Sequence, residues 1–263
     1  MKEILIIKPF NLTYIGLFLL FLAVFTGLAL LLKKKDLEVR KKTLLWIMAG
    51  GLIFYFWYKY MLSIDLPYSQ LQQAAGEGAF SWWKELPIQL CNINLILVPV
   101  SILTGKRELQ SFCFFLGPLG ALMAILMPCT GFECYSLLLP RMLGYYLTHW
   151  LVFFGSISLC TFGIYRPKRS DLKRTTVTVI ILSFAIFLFD MLLRLTGVCV
   201  NANYFYVVEP FGNPILEMLY KIIPIPYVYV LPTLAILIPY MLLVTAILEP
   251  KGKASEDQLK AGD

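Results

Sequence analysis

The sequence predicts an all-α polytopic membrane protein, a bundle of seven transmembrane helices with its N-terminus outside and its C-terminus in the cytoplasm. First, 59% of the 263 residues are hydrophobic and only 15% are charged, with a mean hydropathy of +0.74. A soluble domain of this length could not bury so much apolar surface. Second, the apolar residues form seven runs long enough to cross a bilayer. Third, lysine and arginine clusters occupy alternate connections, which is the positive-inside pattern.

The seven predicted helices follow these apolar runs in order. The first is too long for a signal segment and lacks a cleavage site, so we expect it to be retained. The connection at 33–42 carries six basic residues against two acidic ones, and those at 104–108 and 166–174 are also basic, so all three are assigned to the cytoplasm. The helices are predicted at residues 12–32, 43–63, 86–103, 111–127, 140–164, 175–196 and 227–248.

The remaining segments complete a single domain over residues 1–248. The connection at 64–85 is mildly acidic and therefore suits the outer face. The aromatic end of the second predicted helix is typical of an interfacial belt; it contains Tyr55, Trp57, Tyr58 and Tyr60. Residues 249–263 are of mixed charge, and we expect a short, disordered cytoplasmic tail.

The formal net charge of +7 does not indicate nucleic acid binding, because the basic residues lie in short loops beside apolar runs. We expect membrane lipids as partners at a cell membrane, and no soluble protein partner. The chain has one histidine and no CxxC motif, so no metal site is expected, and we expect no cofactor. The oligomeric state does not follow from the residues.

Polar residues interrupt the start of the third apolar run. Gln89, Cys91, Asn92 and Asn94 stand where lipid offers no hydrogen-bond partner. Polar groups at membrane depth usually face a bundle interior or a wet cavity, so this stretch is the first candidate site. The alternative is that the asparagines join neighbouring helices by hydrogen bonds and that Cys91 is a packing residue.

The predicted topology places three chemically useful side chains in the outer half of the membrane. At 1.5 Å per residue, Cys91, His149 and Asp190 lie roughly 8, 13 and 9 Å below the outer ends of their helices. An imidazole can make a cysteine thiolate, and Asp190 or an asparagine could orient that imidazole. The alternatives are a neutral His149 bonded to a helix carbonyl and an Asp190 paired with Arg194 on one helical face.

The other cysteines divide into two groups. Cys113 and Cys160 fit packing positions within helices. Cys129, Cys134 and Cys199 lie in predicted outer segments, so we expect one disulfide among them, with its pairing open.

Four motifs follow one another along the chain: LPIQLC at 86–91, Phe115, Gly117, Gly120, Ala121 and Pro128 in one run, YYLTHW at 145–150, and NANY at 201–204. They occur in the order seen in bacterial YwaF-type integral membrane proteins, which resemble the eukaryotic transmembrane protein 164 acyltransferase. The resemblance implies a seven-helix fold, with a cysteine in helix three and a histidine in helix five as the implicated pair, here Cys91 and His149. Gln89 departs from the pattern, since many bacterial members have histidine there.

Two functions follow as hypotheses. The first is a cysteine-dependent acyltransferase or lipid-ester hydrolase that acts on phospholipid acyl chains, with Cys91 as nucleophile and His149 as base. The second is a non-enzymatic transporter or accessory membrane protein with a polar cavity in the outer half of the bundle. In the first, asparagine side chains could hold the oxyanion. The substrate-binding candidates are Gln89, Asn92, Asn94, Asn201, Asn203 and Tyr204.

Overall fold

The computed structural model describes residues 5–76, 78, 80–128 and 131–249, and within them every regular element is a helix. Two short 3-10 helices, Tyr204–Tyr206 and Val228–Thr233, accompany the α-helices. From residue 250 onward the predicted tail lies outside the described residues. The α-helices are α1 Leu12–Leu32, α2 Leu37–Ser63, α3 Leu66–Ala74, α4 Asn94–Thr104, α5 Arg107–Leu126, α6 Pro140–Thr161, α7 Arg169–Leu195, α8 Pro214–Ile222 and α9 Leu234–Leu248.

The described helices confirm the predicted class, an all-α membrane protein. Five spans are long and apolar enough to cross a bilayer: α1, α5, α6, α7 and the continuous stretch Val228–Leu248. A sixth forms if α2 and α3, which meet at a bend of 76°, count as one broken span. The helix α4 is apolar but has only 11 residues. The count of seven and the N-outside orientation therefore stay predictions.

The predicted boundaries hold best where an apolar run ends abruptly. Helix α1 has the predicted bounds. Helices α2, α5 and α7 begin four to six residues earlier than predicted, inside the basic connections. Lysine, arginine and glutamate are good helix formers and their long side chains can reach the headgroup region, so a basic loop need not end a helix.

The third predicted helix, residues 86–103, is wrong over its first eight residues. These form turns, and the helix begins only at Asn94. Pro87 cannot donate a backbone hydrogen bond, and asparagine favours turns over helix interiors because its side chain competes for the backbone. Cys91 is therefore carried by a turn and not by a membrane-crossing helix.

Side-chain contacts bring the basic connections to one end of the bundle. Arg40 donates to the carbonyl of Phe162 at 3.0 Å. Arg107 binds both carboxylate oxygens of Asp171 at 2.6 Å. We call this the basic end. The three basic connections therefore lie at one end of the bundle, as predicted.

The opposite end joins the segments that were predicted to lie outside. Arg141 binds both carboxylate oxygens of Asp65 at 2.9 Å, which ties α6 to the start of α3. Ile7 exchanges backbone hydrogen bonds with Cys134 and Tyr135, so the N-terminal segment lies along the 131–139 loop. We call this the site end.

The predicted disulfide is not formed. Cys134 and Cys199 are both free thiols, and any pairing among the three outer cysteines would need one of them. Cys129 lies outside the described residues. Cys199 instead packs in an apolar cluster with Ile186, Leu193 and Tyr204.

Candidate functional site

The turn at 86–93 presents Cys91 at the site end. The backbone N–H groups of Asn92 and Ile93 both donate to the carbonyl of Gln89, at 2.9 and 2.8 Å, and close the turn that contains Cys91. Cys91 itself is half-buried. Irregular backbone at membrane depth is tolerated where protein or a cavity surrounds it, so this turn must be enclosed by its neighbours. We call it the Cys91 turn.

The 204–205 segment holds the Cys91 turn from one side. The Tyr204 hydroxyl donates to the carbonyl of Trp83 at 2.5 Å and accepts from the N–H of Leu86 at 3.1 Å. The carboxamide oxygen of Gln89 accepts from the N–H of Phe205 at 3.0 Å. Burial raises the pKa of the Tyr204 phenol, which keeps it a neutral donor. Gln89 and Tyr204 thus lie at the site and position its backbone.

A buried ion pair on α2 holds the segment from the other side. The Lys59 ammonium lies 2.5 Å from the Glu85 carboxylate, and the exposed fractions of the two side chains are 10% and 17%. It also lies 4.7 Å from the centre of the Tyr58 ring. Tyr55 donates its hydroxyl to the carbonyl of Glu85 at 2.9 Å. These residues fix the start of the Cys91 turn.

Sequence reasoning missed this group. Tyr55 and Tyr58 were expected in an interfacial belt, yet they are almost fully buried; only Trp57 and Tyr60 are exposed. The available signal was Lys59 itself, since an ammonium within an apolar run usually has a partner inside the bundle.

His149 is buried in α6, with its Nδ1 atom 2.7 Å from the carbonyl oxygen of Tyr145. A carbonyl can only accept, so in a neutral ring Nδ1 carries the proton and Nε2 presents its lone pair. The predicted alternative for His149 was a bond to a helix carbonyl, and its Nδ1 atom makes such a bond. It leaves Nε2 in the form that a general base needs.

The helices α5 and α6 run antiparallel, and two contacts set their register. The Tyr145 hydroxyl donates to the carbonyl of Ala124 at 2.8 Å. Further along, a Cβ added to Gly117 would overlap Ser156. Residue numbers fall on α5 as they rise on α6, so residues 149–153 of α6 lie level with residue 120 of α5.

Gly120 is where the Cys91 turn meets α5. A Cβ built on Gly120 would lie 3.5 Å from both the Cα and the backbone nitrogen of Cys91. By the register of the two helices, His149 is level with Gly120 or up to four residues nearer the site end. The fold therefore brings the Cys91 turn and His149 to similar depths, and the turn packs closely on α5 where Gly120 has no side chain. Direct contact between the sulfur and the imidazole stays a prediction.

Asp190 occupies a separate place. It is fully buried in α7, and neither carboxylate oxygen has a hydrogen-bond partner among the described residues, so it does not orient His149 by direct bonding. The backbone amide of Tyr204 lies beside it. Arg194 binds Glu209 at 2.5 Å instead, so the alternative expectation of an Asp190–Arg194 pair was wrong.

The four asparagines differ in what they can offer. Asn92 and Asn94 are buried next to Cys91, and the amide oxygen of each lacks a partner in the described chain. Asn94 donates to the carbonyl of Leu90 at 3.3 Å. Asn203 uses its side chain within its own turn, bonding to residues 208 and 209, and Asn201 is exposed.

Comparison with known proteins gives one kind of match. A family model described as the TMEM164 family matches residues 6–245, a range that contains the Cys91 turn and His149. No curated protein and no solved structure matches the chain.

Proposed function

The chain belongs to the TMEM164 family, and from this membership we propose that it is a membrane-embedded, cysteine-dependent enzyme that moves phospholipid acyl chains to a lysolipid or to water. We propose the cell membrane as its location. The observation that carries the proposal is the shared depth of the Cys91 turn and His149, whose Nδ1 is already bonded to Tyr145. We also propose that the chain belongs to the bacterial YwaF-type branch that its motifs resemble.

The first half of the reaction would transfer the acyl chain to the enzyme. Nε2 of His149 takes the proton from the Cys91 thiol, and the thiolate sulfur bonds to the ester carbonyl carbon. The carbonyl electron pair moves to oxygen. When that pair returns, the ester C–O bond breaks and the leaving alkoxide of the lysolipid takes the proton from His149. The product is a thioester on Cys91.

The second half would transfer the acyl chain onward. A lysolipid hydroxyl or a water molecule gives its proton to Nε2 of His149, and its oxygen bonds to the thioester carbonyl carbon. Collapse breaks the C–S bond, and the thiolate regains the proton from His149. The same residue serves as base and acid in each half, so no cofactor takes part.

The surroundings of Cys91 suit an ester. The Cys91 turn lies at the site end, ahead of the apolar α4, so acyl chains could extend along lipid-facing helices while the ester reaches the turn. Of the four asparagines, Asn92 and Asn94 retain uncommitted polar atoms beside the turn. Asn92 is the stronger candidate for a substrate contact, because Asn94 already bonds to Leu90.

The test is acyl exchange by the purified protein in liposomes that contain a phospholipid with isotope-labelled acyl chains and an unlabelled lysolipid. Label should appear in new phospholipid or in free fatty acid, and Cys91→Ala should abolish its appearance. Cys113→Ala removes a buried cysteine of α5 and serves as the matched control. Label transfer by Cys91→Ala at the wild-type rate would contradict the proposal.

A further inference from the structure

Several threonines in or at the end of helices in this protein donate their hydroxyl group to their own helix. Five of them donate to the carbonyl oxygen four residues earlier, at 2.7 to 3.3 Å, as is common in helices. These are Thr43, Thr104, Thr161, Thr176 and Thr196.

Thr148 differs from them. It lies in α6, its exposed fraction is 0%, and its hydroxyl has no hydrogen-bond partner among the described residues. A buried hydroxyl without a partner is costly, and such a group in a native site calls for an explanation. The Thr148 hydroxyl is therefore able to donate a hydrogen bond to a group other than its own helix backbone.

Contacts along α6 fix the direction in which Thr148 points. Gly144 and Leu151 face α2, because a Cβ on Gly144 would overlap Tyr58 and Leu151 lies 3.2 Å from a Cβ built on Gly51. Tyr145 and Ser156 face α5. With 3.6 residues per turn, Thr148 lies between these two faces, roughly 50° from the α2 face and roughly 70° from the α5 face. It faces the α2 side of the space between α2 and α5.

The Cys91 turn lies in that space, close to the level of Thr148. On the α5 side its backbone lies against Gly120, and on the α2 side Tyr55 donates its hydroxyl to the carbonyl of Glu85, directly before the turn. By the register of α5 and α6, Thr148 lies one to five residues from the level of Gly120, on the side of the site end. The turn that carries the nucleophile and the uncommitted hydroxyl thus lie at neighbouring levels inside the bundle.

We propose that the Thr148 hydroxyl is a catalytic hydrogen-bond donor that binds the oxyanion formed when Cys91 attacks the ester carbonyl. The role rests on the proposed acyl transfer and adds a residue to it. As the carbonyl electron pair moves to oxygen, the Thr148 O–H donates to that oxygen, and the bond weakens again when the pair returns. No proton is transferred between Thr148 and the substrate in this step.

The experiment compares Thr148→Val, which keeps the shape and removes the hydroxyl, with Thr148→Ser, which keeps the hydroxyl. Thr245→Val is the matched control, because Thr245 in α9 is equally buried and its hydroxyl is equally unpaired. Thr148→Val should lower kcat about 10²-fold with little change in KM, as removal of one oxyanion donor does. Thr148→Ser should keep most of the activity, and Thr245→Val should match the wild type.

A second readout separates chemistry from folding. Labelling of Cys91 by an acyl phosphonate builds negative charge on oxygen, whereas alkylation by iodoacetamide does not. Thr148→Val should slow only the phosphonate reaction. Equal slowing of both reactions, or wild-type kcat in Thr148→Val, would overturn the role of Thr148. Wild-type activity in Cys91→Ala would instead overturn the proposed function, so the two failures are distinct.

Discussion

A thiol becomes a strong nucleophile only when a neighbouring group accepts its proton, and His149 is the one histidine in the chain. Its Nδ1 is bonded to the carbonyl of Tyr145, which leaves Nε2 for that task. If Cys91 and His149 act as a unit, losing either removes the same function.

Cys91→Ala and His149→Ala should therefore each abolish acyl transfer, and the double variant should be hardly slower than either single one. Cys91→Ser should fold but lose most activity, because an alcohol is far harder to deprotonate than a thiol. The measurement is the rate of labelled acyl transfer, with thermal unfolding in detergent as the control for folding. Independent, multiplying losses would show that the two residues do not form one unit.

Asp190 has a different expectation, because it is buried without a hydrogen-bond partner and does not bond to His149. Asp190→Asn removes a charge that is expensive to bury, so thermal stability should stay equal or rise. The acyl transfer rate should stay close to that of the wild type, because Asp190 does not bond to His149. A large loss of rate in a normally folded variant would show that Asp190 takes part in catalysis.

The Lys59–Glu85 pair should contribute to stability through its burial. Lys59→Met leaves the Glu85 carboxylate without its partner, and breaking a buried pair in this way costs about 3–5 kcal/mol of unfolding free energy. Lys59→Met combined with Glu85→Gln removes both charges and should recover much of the loss. Unfolding in detergent measures both variants. Equal stability of Lys59→Met and the wild type would show that the pair contributes nothing.

At the scale of elements, close packing between α2 and α6 depends on Gly144. A Cβ at this position would overlap the Tyr58 ring, and the buried ring has little room to move. Gly144→Ala should cost about 1–3 kcal/mol, as overpacking does. Gly50→Ala on the exposed face of α2 is the control, since nothing lies within 4 Å of its Cβ. That variant should be neutral or more stable. Equal effects in the two variants would contradict this packing.

Hydropathy was sufficient for α1, whose bounds match the prediction, and for the grouping of the basic connections. Hydropathy failed at residues 86–93, because a helix and a buried turn can both be apolar. The turn also depends on contacts with residues that are distant in sequence. Tyr204 and Phe205, more than 110 residues away, make those contacts. The Lys59–Glu85 pair escaped prediction for the same reason.

At the scale of the molecule, the orientation of the bundle stays a prediction from the basic connections. In a background without native exposed cysteines, Gly76→Cys at the site end should react with an impermeant maleimide added outside intact cells. Ser170→Cys at the basic end should react only after the membrane is opened. The reverse pattern would place Cys91 in the inner half of the membrane.

The central claim, that Cys91 carries an acyl chain during transfer, has a direct test. The purified protein is incubated with a phospholipid that has isotope-labelled acyl chains, quenched in acid and mapped by mass spectrometry. The account predicts the labelled acyl mass on the peptide that contains Cys91, removable by neutral hydroxylamine and enriched in variants that slow deacylation. Active protein that transfers label while Cys91 is never acylated would contradict it.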